Sequence, residues 1–170
     1  RSAASKDRNK ESAALFARAI ATSPSRRLEL AVEYANQLTY SGRAAKAVPI
    51  YREALGAGRL KRDQRLQALL GLGLALSWSD QLKEALSIYD ATIRAYPESA
   101  EAYIGRGRVL TQLDDNRKAL VAFDKATTLS PQNRDAIRGA AQALSYLGRQ
   151  RLSLARLAPI MGPGAEPQTQ

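Results

Sequence analysis

Two adjacent carboxylates, Asp114 and Asp115, are the first candidates for acid–base chemistry in this sequence. A pair of carboxyl groups can act as general acid and general base when the fold gives them suitable pKa values. The 170 residues include no His and no Cys, which removes the most common general base, the thiolate nucleophile and the usual zinc ligands. Because the two aspartates precede an amphipathic helical pattern, we interpret them as helix caps. We therefore predict that the chain is not an enzyme and holds no metal and no cofactor.

A cluster of four basic residues could instead attract an anionic polymer. Its members, called the basic patch, are Arg59, Lys61, Arg62 and Arg65. The net charge is +10, and residues 1–65 hold 14 basic and 6 acidic side chains. Residues 66–133 hold 7 basic and 8 acidic side chains, and residues 134–170 hold 5 basic and 2 acidic ones. The charge is concentrated in the N-terminal third, where a solvated basic loop is the simpler interpretation, and we do not expect nucleic acid as a ligand.

An internal repeat of 34 residues defines the elements that position these side chains. Ala47 and Tyr51 carry its central spacing upstream of the two clearest copies. We expect one helix of the repeat to begin at Ser130-Pro131, since Ser can cap a helix and Pro fits its first turn. In the two clearest copies, Gly73, Ala85, Tyr89 and Pro97 return as Gly107, Ala119, Phe123 and Pro131.

This pattern resembles the tetratricopeptide repeat, whose motif has a Leu-Gly pair, an Ala, an aromatic residue and a closing Pro. The resemblance includes Leu72-Gly73 and extends over about residues 9–158. It implies an all-α protein, built as a right-handed superhelix of antiparallel helix pairs with a groove on its concave face. Single positions depart from the motif at Arg59, Thr92 and Arg106.

The repeat predicts nine helices and a boundary between successive repeats. The helices are predicted at about 7–22, 27–41, 44–56, 62–78, 81–95, 99–113, 116–129, 133–147 and 150–158. Residues 1–27 are assigned to the second helix of a truncated upstream repeat, and 28–65 to a first repeat with a four-residue insertion. Residues 66–99 and 100–133 are assigned to two further repeats, 134–160 to a partial fourth repeat with capping helices, and 161–170 to a flexible linker.

The resemblance also implies that the first helix of each pair lines the groove. Tyr40, Trp78 and Tyr146 stand at equivalent positions there and could stack on peptide side chains or sugar rings, or simply pack between helices. The predicted groove residues are Asn36, Tyr40, Leu70, Leu74, Trp78, Ile104, Arg108, Gln112, Arg138, Gln142 and Tyr146.

Three helical glycines, Gly71, Gly105 and Gly139, lie on the same helix face. Because Gly in a helix costs about 1 kcal/mol relative to Ala, packing or binding must offset it. The glycines either keep the groove floor open for a ligand backbone or let neighbouring helices pack closely. We favour close packing.

These features favour a non-catalytic scaffold that binds a protein or peptide in the groove. The alternative is direct binding of a polysaccharide or other polyanion through the basic N-terminal third. No apolar segment approaches the roughly 20 residues of a membrane span. Two segments, Leu38–Arg43 and Leu76–Gln81, are also similar to repeats of bacterial proteins that export biofilm polysaccharides. That resemblance implies a periplasmic protein that recruits partners in exopolysaccharide secretion, with the cytoplasm as the alternative location.

Overall fold

The computed structural model describes residues 27–161, which form eight α-helices and a final 3₁₀ turn, with no strand in that range. The all-α class is confirmed, and each helix predicted between residues 27 and 158 is present to within one residue at either end. The predicted helix 7–22 lies outside the described residues, as does all but the first residue of the predicted linker. The helices are α1 Arg27–Tyr40, α2 Ala44–Gly56, α3 Arg62–Trp78, α4 Leu82–Ala95, α5 Ala100–Gln112, α6 Asn116–Leu129, α7 Arg134–Tyr146 and α8 Gln150–Leu157, followed by the turn Ala158–Ile160.

The described chain divides into two compact units at Gln81. In the first, α2 packs against both α1 and α3, and α1 also contacts α3. In the second, α4 to α8 each pack against the next helix in the chain, and α5 also contacts α7. Within each unit, short connections make consecutive helices antiparallel neighbours. None of the described helices is long and apolar enough to cross a membrane.

The first helices of the pairs are α1, α3, α5 and α7, and the second helices are α2, α4, α6 and α8. The turn after each first helix contains one residue in the left-handed backbone region. Gly42 and Gly148 have φ of 76° and 73°, as a turn after a helix often requires. Asp80 and Asp114 occupy the equivalent place with φ of 61° and 60°. Aspartate tolerates this region better than most residues with a Cβ atom. The four turns therefore share a residue with positive φ, whether that residue is Gly or Asp.

An aromatic ring of the second helix packs against a glycine of the following first helix in both units. A Cβ atom placed on any of these glycines would come within 3.0 Å of the ring. The rings are buried, so their burial offsets the low helix propensity of glycine. The close-packing interpretation is therefore confirmed. The pairs are Tyr51 with Gly71, Tyr89 with Gly105, and Phe123 with Gly139.

The N-cap predicted at Ser130-Pro131 is wrong, although α7 begins within one residue of its predicted limit. Asn133 caps α7, because its side-chain oxygen accepts from the backbone N–H groups of Asp135 and Ala136. Ser130 instead ends α6, and a turn joins the two helices through a 3.0 Å bond from the Asn133 N–H to the Ser130 carbonyl. Pro131 lies within that turn and precedes the helix by three residues.

Two departures from the repeat motif have local partners. The buried hydroxyl of Thr92 donates to the Ile88 carbonyl of its own helix at 2.7 Å. Arg106 replaces an apolar residue of the motif, and its Nε donates to Asp90 at 2.7 Å. Both polar side chains are thereby satisfied without a change of helix position.

Replacing Gly71 by Ala is expected to destabilise the first unit, because the new Cβ would lie 2.5 Å from the Tyr51 hydroxyl oxygen. Overpacking of this kind costs about 1–3 kcal/mol. Gly56→Ala is the matched control: a Cβ there would have nothing within 4 Å. That variant should be neutral or more stable by up to about 1 kcal/mol. Urea unfolding measures both, and equal free energies of unfolding for the two variants would contradict the packing assignment.

Candidate ligand-binding surfaces

Each unit presents one surface formed by its first helices. The α1/α3 face carries acidic, amide, apolar and aromatic side chains, and the α5/α7 face is mainly polar. The members of the α1/α3 face are Glu29, Glu33, Asn36, Tyr40, Gln67, Leu70, Leu74 and Trp78. The members of the α5/α7 face are Arg108, Gln112, Asp135, Arg138, Gln142 and Tyr146.

Tyr40 and Trp78 are brought together at the carboxyl ends of α1 and α3. Their ring centroids lie 5.7 Å apart and their planes meet at 82°, an edge-to-face contact. Tyr40 remains 71% exposed and Trp78 51% exposed. The two rings therefore pack on each other between helices and also leave wide aromatic surface exposed to solvent.

Asn36 connects the α1/α3 face to the core of the first unit. Its side-chain oxygen accepts a 2.6 Å hydrogen bond from the hydroxyl of the fully buried Tyr51. This bond fixes the orientation of the amide and leaves its two N–H donors without a partner among the described residues. Leu70 and Leu74 are half-buried and lie two turns and one turn before Trp78 on α3.

Burial raises the pKa of the Tyr51 phenol to about 12, and a hydrogen bond with Thr39 partly opposes that shift. The charged form of a phenol is disfavoured where water cannot solvate it. The hydroxyl therefore stays protonated and donates to Asn36 over the whole physiological range of pH.

The basic patch lies on a different surface from the aromatic pair. All four of its side chains are exposed, at the start of α3 and in the connection before it. At about 100° per residue, Arg62 and Arg65 lie roughly 160° and 140° around α3 from Trp78. The structure therefore does not bring the patch to the α1/α3 face, whose nearer end is occupied by a hydrogen bond from Gln64 to Glu29.

The α5/α7 face is organised by Asp135. Its carboxylate accepts from Arg108 at 3.0 Å and pairs with Arg138 at 3.7 Å, and all three side chains are more than half exposed. Two helical turns after Asp135, Gln142 donates to the Tyr146 hydroxyl at 3.0 Å. Gln112 is exposed on α5. These predicted groove residues therefore form an open polar surface.

Ile104 is an exception among the predicted groove residues. It is only 5% exposed and packs with Leu110 and Phe123 in the core of the second unit. It stabilises the helix packing and offers no surface to a ligand, so its assignment to the groove is corrected here.

A cavity of about 350 Å³ between α6, α7 and α8 was not predicted from the sequence. Arg156 and Asp124, which form an ion pair, both line it. The sequence feature that could have predicted this cavity is Leu152, an apolar residue at the position where the preceding repeat has the exposed Lys118. The lining residues are Leu120, Asp124, Leu144, Leu152, Ala155 and Arg156.

The two adjacent aspartates have structural partners. Asp115 caps α6 by accepting from the Lys118 backbone at 3.2 Å, and its other oxygen accepts from the Lys118 ammonium at 2.6 Å. The Lys118 hydrogen bonds hold the pKa of Asp115 below its usual value. Asp114 is the left-handed turn residue and accepts from Asn116 at 2.9 Å, so only Asp115 is a cap. Within residues 27–161 no three acidic side chains are grouped to hold a metal ion.

Consecutive antiparallel helices with a 34-residue spacing define an α-helical repeat protein. The sequence model of the tetratricopeptide repeat matches residues 100–133, the range of the predicted third repeat. The chain therefore contains a tetratricopeptide repeat, and its fold is that of tetratricopeptide-repeat proteins. No curated protein matches the chain.

Three solved structures illustrate the likeness. A thermophilic tetratricopeptide-repeat protein of Thermus thermophilus aligns with a TM-score of 0.73 and 21% identity, covering 89% of this chain and 82% of that one. MamA aligns with a TM-score of 0.70 and 17% identity, covering 84% of this chain and 81% of that one. A tetratricopeptide repeat protein from Parabacteroides merdae aligns at 0.68 and 16% identity, covering 84% and 56%. At these identities the likeness establishes the fold alone.

Tyr51 is expected to make stability fall between about pH 10 and pH 12, because the phenol ionises first in the unfolded chain. Below pH 10 it is protonated in both states and adds no dependence on pH. The slope should reach at most about 1.4 kcal/mol per pH unit. Urea unfolding between pH 9 and pH 12 should show this loss in the wild type and not in Tyr51→Phe. Tyr146→Phe, which alters an exposed ring, should keep the wild-type slope; the same slope in all three proteins would contradict the assignment.

Proposed function

We propose that this chain is a non-catalytic scaffold that binds a polypeptide on its α1/α3 and α5/α7 faces. The exposure of three large aromatic side chains at equivalent helix ends carries the proposal: Tyr40, Trp78 and Tyr146 are 71%, 51% and 60% exposed. Tyr and Trp are enriched at protein interfaces, because they bury a large area with little loss of conformational entropy. The tetratricopeptide-repeat fold supports the same role, since helical repeats build extended binding surfaces.

The remaining side chains of the two faces suit a polypeptide ligand. Asn36 offers amide donors that are oriented by Tyr51, and such donors can bind a backbone carbonyl. Arg108 and Arg138 offer guanidinium groups that now share one carboxylate, Asp135. Each of these groups can exchange its present partner, or water, for a polar group of a ligand.

A more specific role in bacterial exopolysaccharide secretion or biofilm formation, in the periplasm, is part of the proposal. It is supported by the similarity of Leu38–Arg43 and Leu76–Gln81 to repeats of polysaccharide exporters. In the structure these two segments contain Tyr40 and Trp78 and the turns that follow them. A cytoplasmic scaffold with the same binding faces is the alternative.

A second candidate function is direct binding of an anionic polysaccharide or another polyanion by the basic patch. The specific observation is the placement of its cations at the start of α3, where the positive end of the helix dipole disfavours them. An anionic ligand would relieve that repulsion, because both the side chains and the helix end attract it. This surface is separate from the α1/α3 face.

A photo-crosslinking amino acid at position 146 is expected to capture a protein partner. The matched control is position 121 on the second helix α6, where Val121 is exposed to a similar extent, 67%. In extracts of the organism that produces the chain, protease-sensitive adducts should form from position 146 and be absent from position 121. Adducts of equal yield from both positions would mean that binding is not directed to the first helices.

The polyanion function predicts that Arg62→Gln combined with Arg65→Gln weakens binding of alginate by roughly fivefold, at about 0.5 kcal/mol for each exposed charge contact. Raising the salt concentration should weaken the wild-type interaction, because exposed charges are screened. Arg149→Gln combined with Arg151→Gln, which removes two exposed charges of the second unit, is the control and should bind as the wild type does. Binding that ignores salt, or that both double variants reduce equally, argues against the patch as the binding surface.

A further inference from the structure

The α1/α3 face is acidic although the chain as a whole is strongly basic. Glu29 and Glu33 follow one another by one helical turn on α1, in line with Asn36 and Tyr40. Glu33 is exposed, and the carboxylate of Glu29 accepts a hydrogen bond from the side chain of Gln64. These two carboxylates are the charged groups of the face.

The basic residues on α1 and α3 are directed elsewhere. Arg27 pairs with Glu53 of α2 at 3.9 Å. Arg62 and Arg65 lie roughly 140–160° around α3 from Trp78. In the turn after α1, Arg43 donates through its Nε to the Ser41 hydroxyl at 3.3 Å. Within residues 27–161, the cations of α1 and α3 therefore do not compensate the negative charge of Glu33.

Tyr40 and Trp78 form an aromatic corner at the carboxyl end of the same face. Their planes meet at 82°, so the two rings offer surfaces in perpendicular directions to one guest. A Lys or Arg side chain is attracted to such rings by their quadrupoles, most strongly by Trp. Asp80, exposed in the turn two residues after Trp78, is a third carboxylate.

We propose that the α1/α3 face binds a basic segment of a partner protein, with one Lys or Arg side chain on the Tyr40–Trp78 corner and a second at Glu33. This inference rests on the proposed scaffold function and specifies its ligand. Seven residues of helix separate Glu33 from Tyr40, about 10 Å. A chain in the polyproline II conformation has three residues per turn and rises about 3.1 Å per residue, so its residues i and i+3 lie on the same side about 9 Å apart. The basic residues of the partner should therefore lie at positions i and i+3. Asn36 lies between the two subsites, where its amide can donate to the backbone of the segment.

Charge complementarity decides between this occupant and a neutral one. An uncharged peptide or a sugar ring would gain the aromatic contact but would leave the carboxylates of the face without a counterpart. A cation gains both. Because the net charge of +10 repels cations at long range, attraction here is local, and charge-removing substitutions test it better than salt does.

Trp78 is the only tryptophan of the chain, so its fluorescence reports on the proposed site directly. The probe is a synthetic hexapeptide of glycines with two lysines three positions apart. Its matched control replaces both lysines by norleucine, which keeps the aliphatic chain and removes the charge. The lysine peptide should change the emission of Trp78 saturably, and the norleucine peptide should bind at least about fivefold more weakly, since two charge contacts are lost.

Substitutions in the chain locate the binding groups. Glu33→Gln should weaken binding of the lysine peptide by about two- to fivefold, whereas Glu98→Gln, at an exposed position of the second unit, should not change it. Tyr40→Ala should weaken binding by a similar factor and Tyr40→Phe, which keeps the ring, should not. Circular dichroism and thermal unfolding establish that each variant is folded before its affinity is compared.

Three results would overturn the inference. They are equal binding of the lysine and norleucine peptides, full affinity in Glu33→Gln, and tighter binding of a neutral oligosaccharide such as cellohexaose. Adducts formed specifically from position 146 separate this failure from failure of the scaffold function. If those adducts form while the lysine peptide does not bind, the scaffold function stands and the basic ligand is excluded. If neither is observed, both proposals fail.

Discussion

The contact between an aromatic ring and a glycine ties each second helix to the first helix that follows it within a unit. The ring needs the space that a Cβ atom would occupy, so the glycine cannot be replaced without moving one of the two helices. The same contact lets successive first helices approach each other. In the first unit that approach brings Tyr40 within 5.7 Å of Trp78. The position of the exposed aromatic pair thus depends on the buried contact between Tyr51 and Gly71.

Most of the fold follows from the sequence, because the information is local and repeated. Ala, an aromatic residue and Gly at a fixed period specify helix spacing, and every described helix has nearly its predicted limits. The cap assigned to α7 was wrong because Ser130-Pro131 can end one helix as readily as begin another, and only the backbone path decides. Ile104 was assigned to the surface because helical spacing cannot separate inward from outward at a position on the edge of the core.

Net charge proved a poor guide to any particular surface. In the second unit, three arginines each pair with an aspartate, so a neighbouring carboxylate compensates much of their positive charge. They are Arg106, Arg108 and Arg156. Such partly exposed pairs contribute little to stability, about 0–1 kcal/mol each, but they determine the local field that a ligand meets. The acidic character of the α1/α3 face could not be read from composition, because it requires knowing where each arginine is directed.

The hydrogen bond from Tyr51 to Asn36 joins a fully buried group to a ligand-facing one. A substitution of Asn36 therefore also removes the acceptor of a buried hydroxyl, and a substitution of Tyr51 releases the orientation of a surface amide. Affinity and thermodynamic stability cannot vary independently at these two positions. Divergence toward new partners is freer at Glu33 or Gln67, whose exposed side chains have no such link to the core.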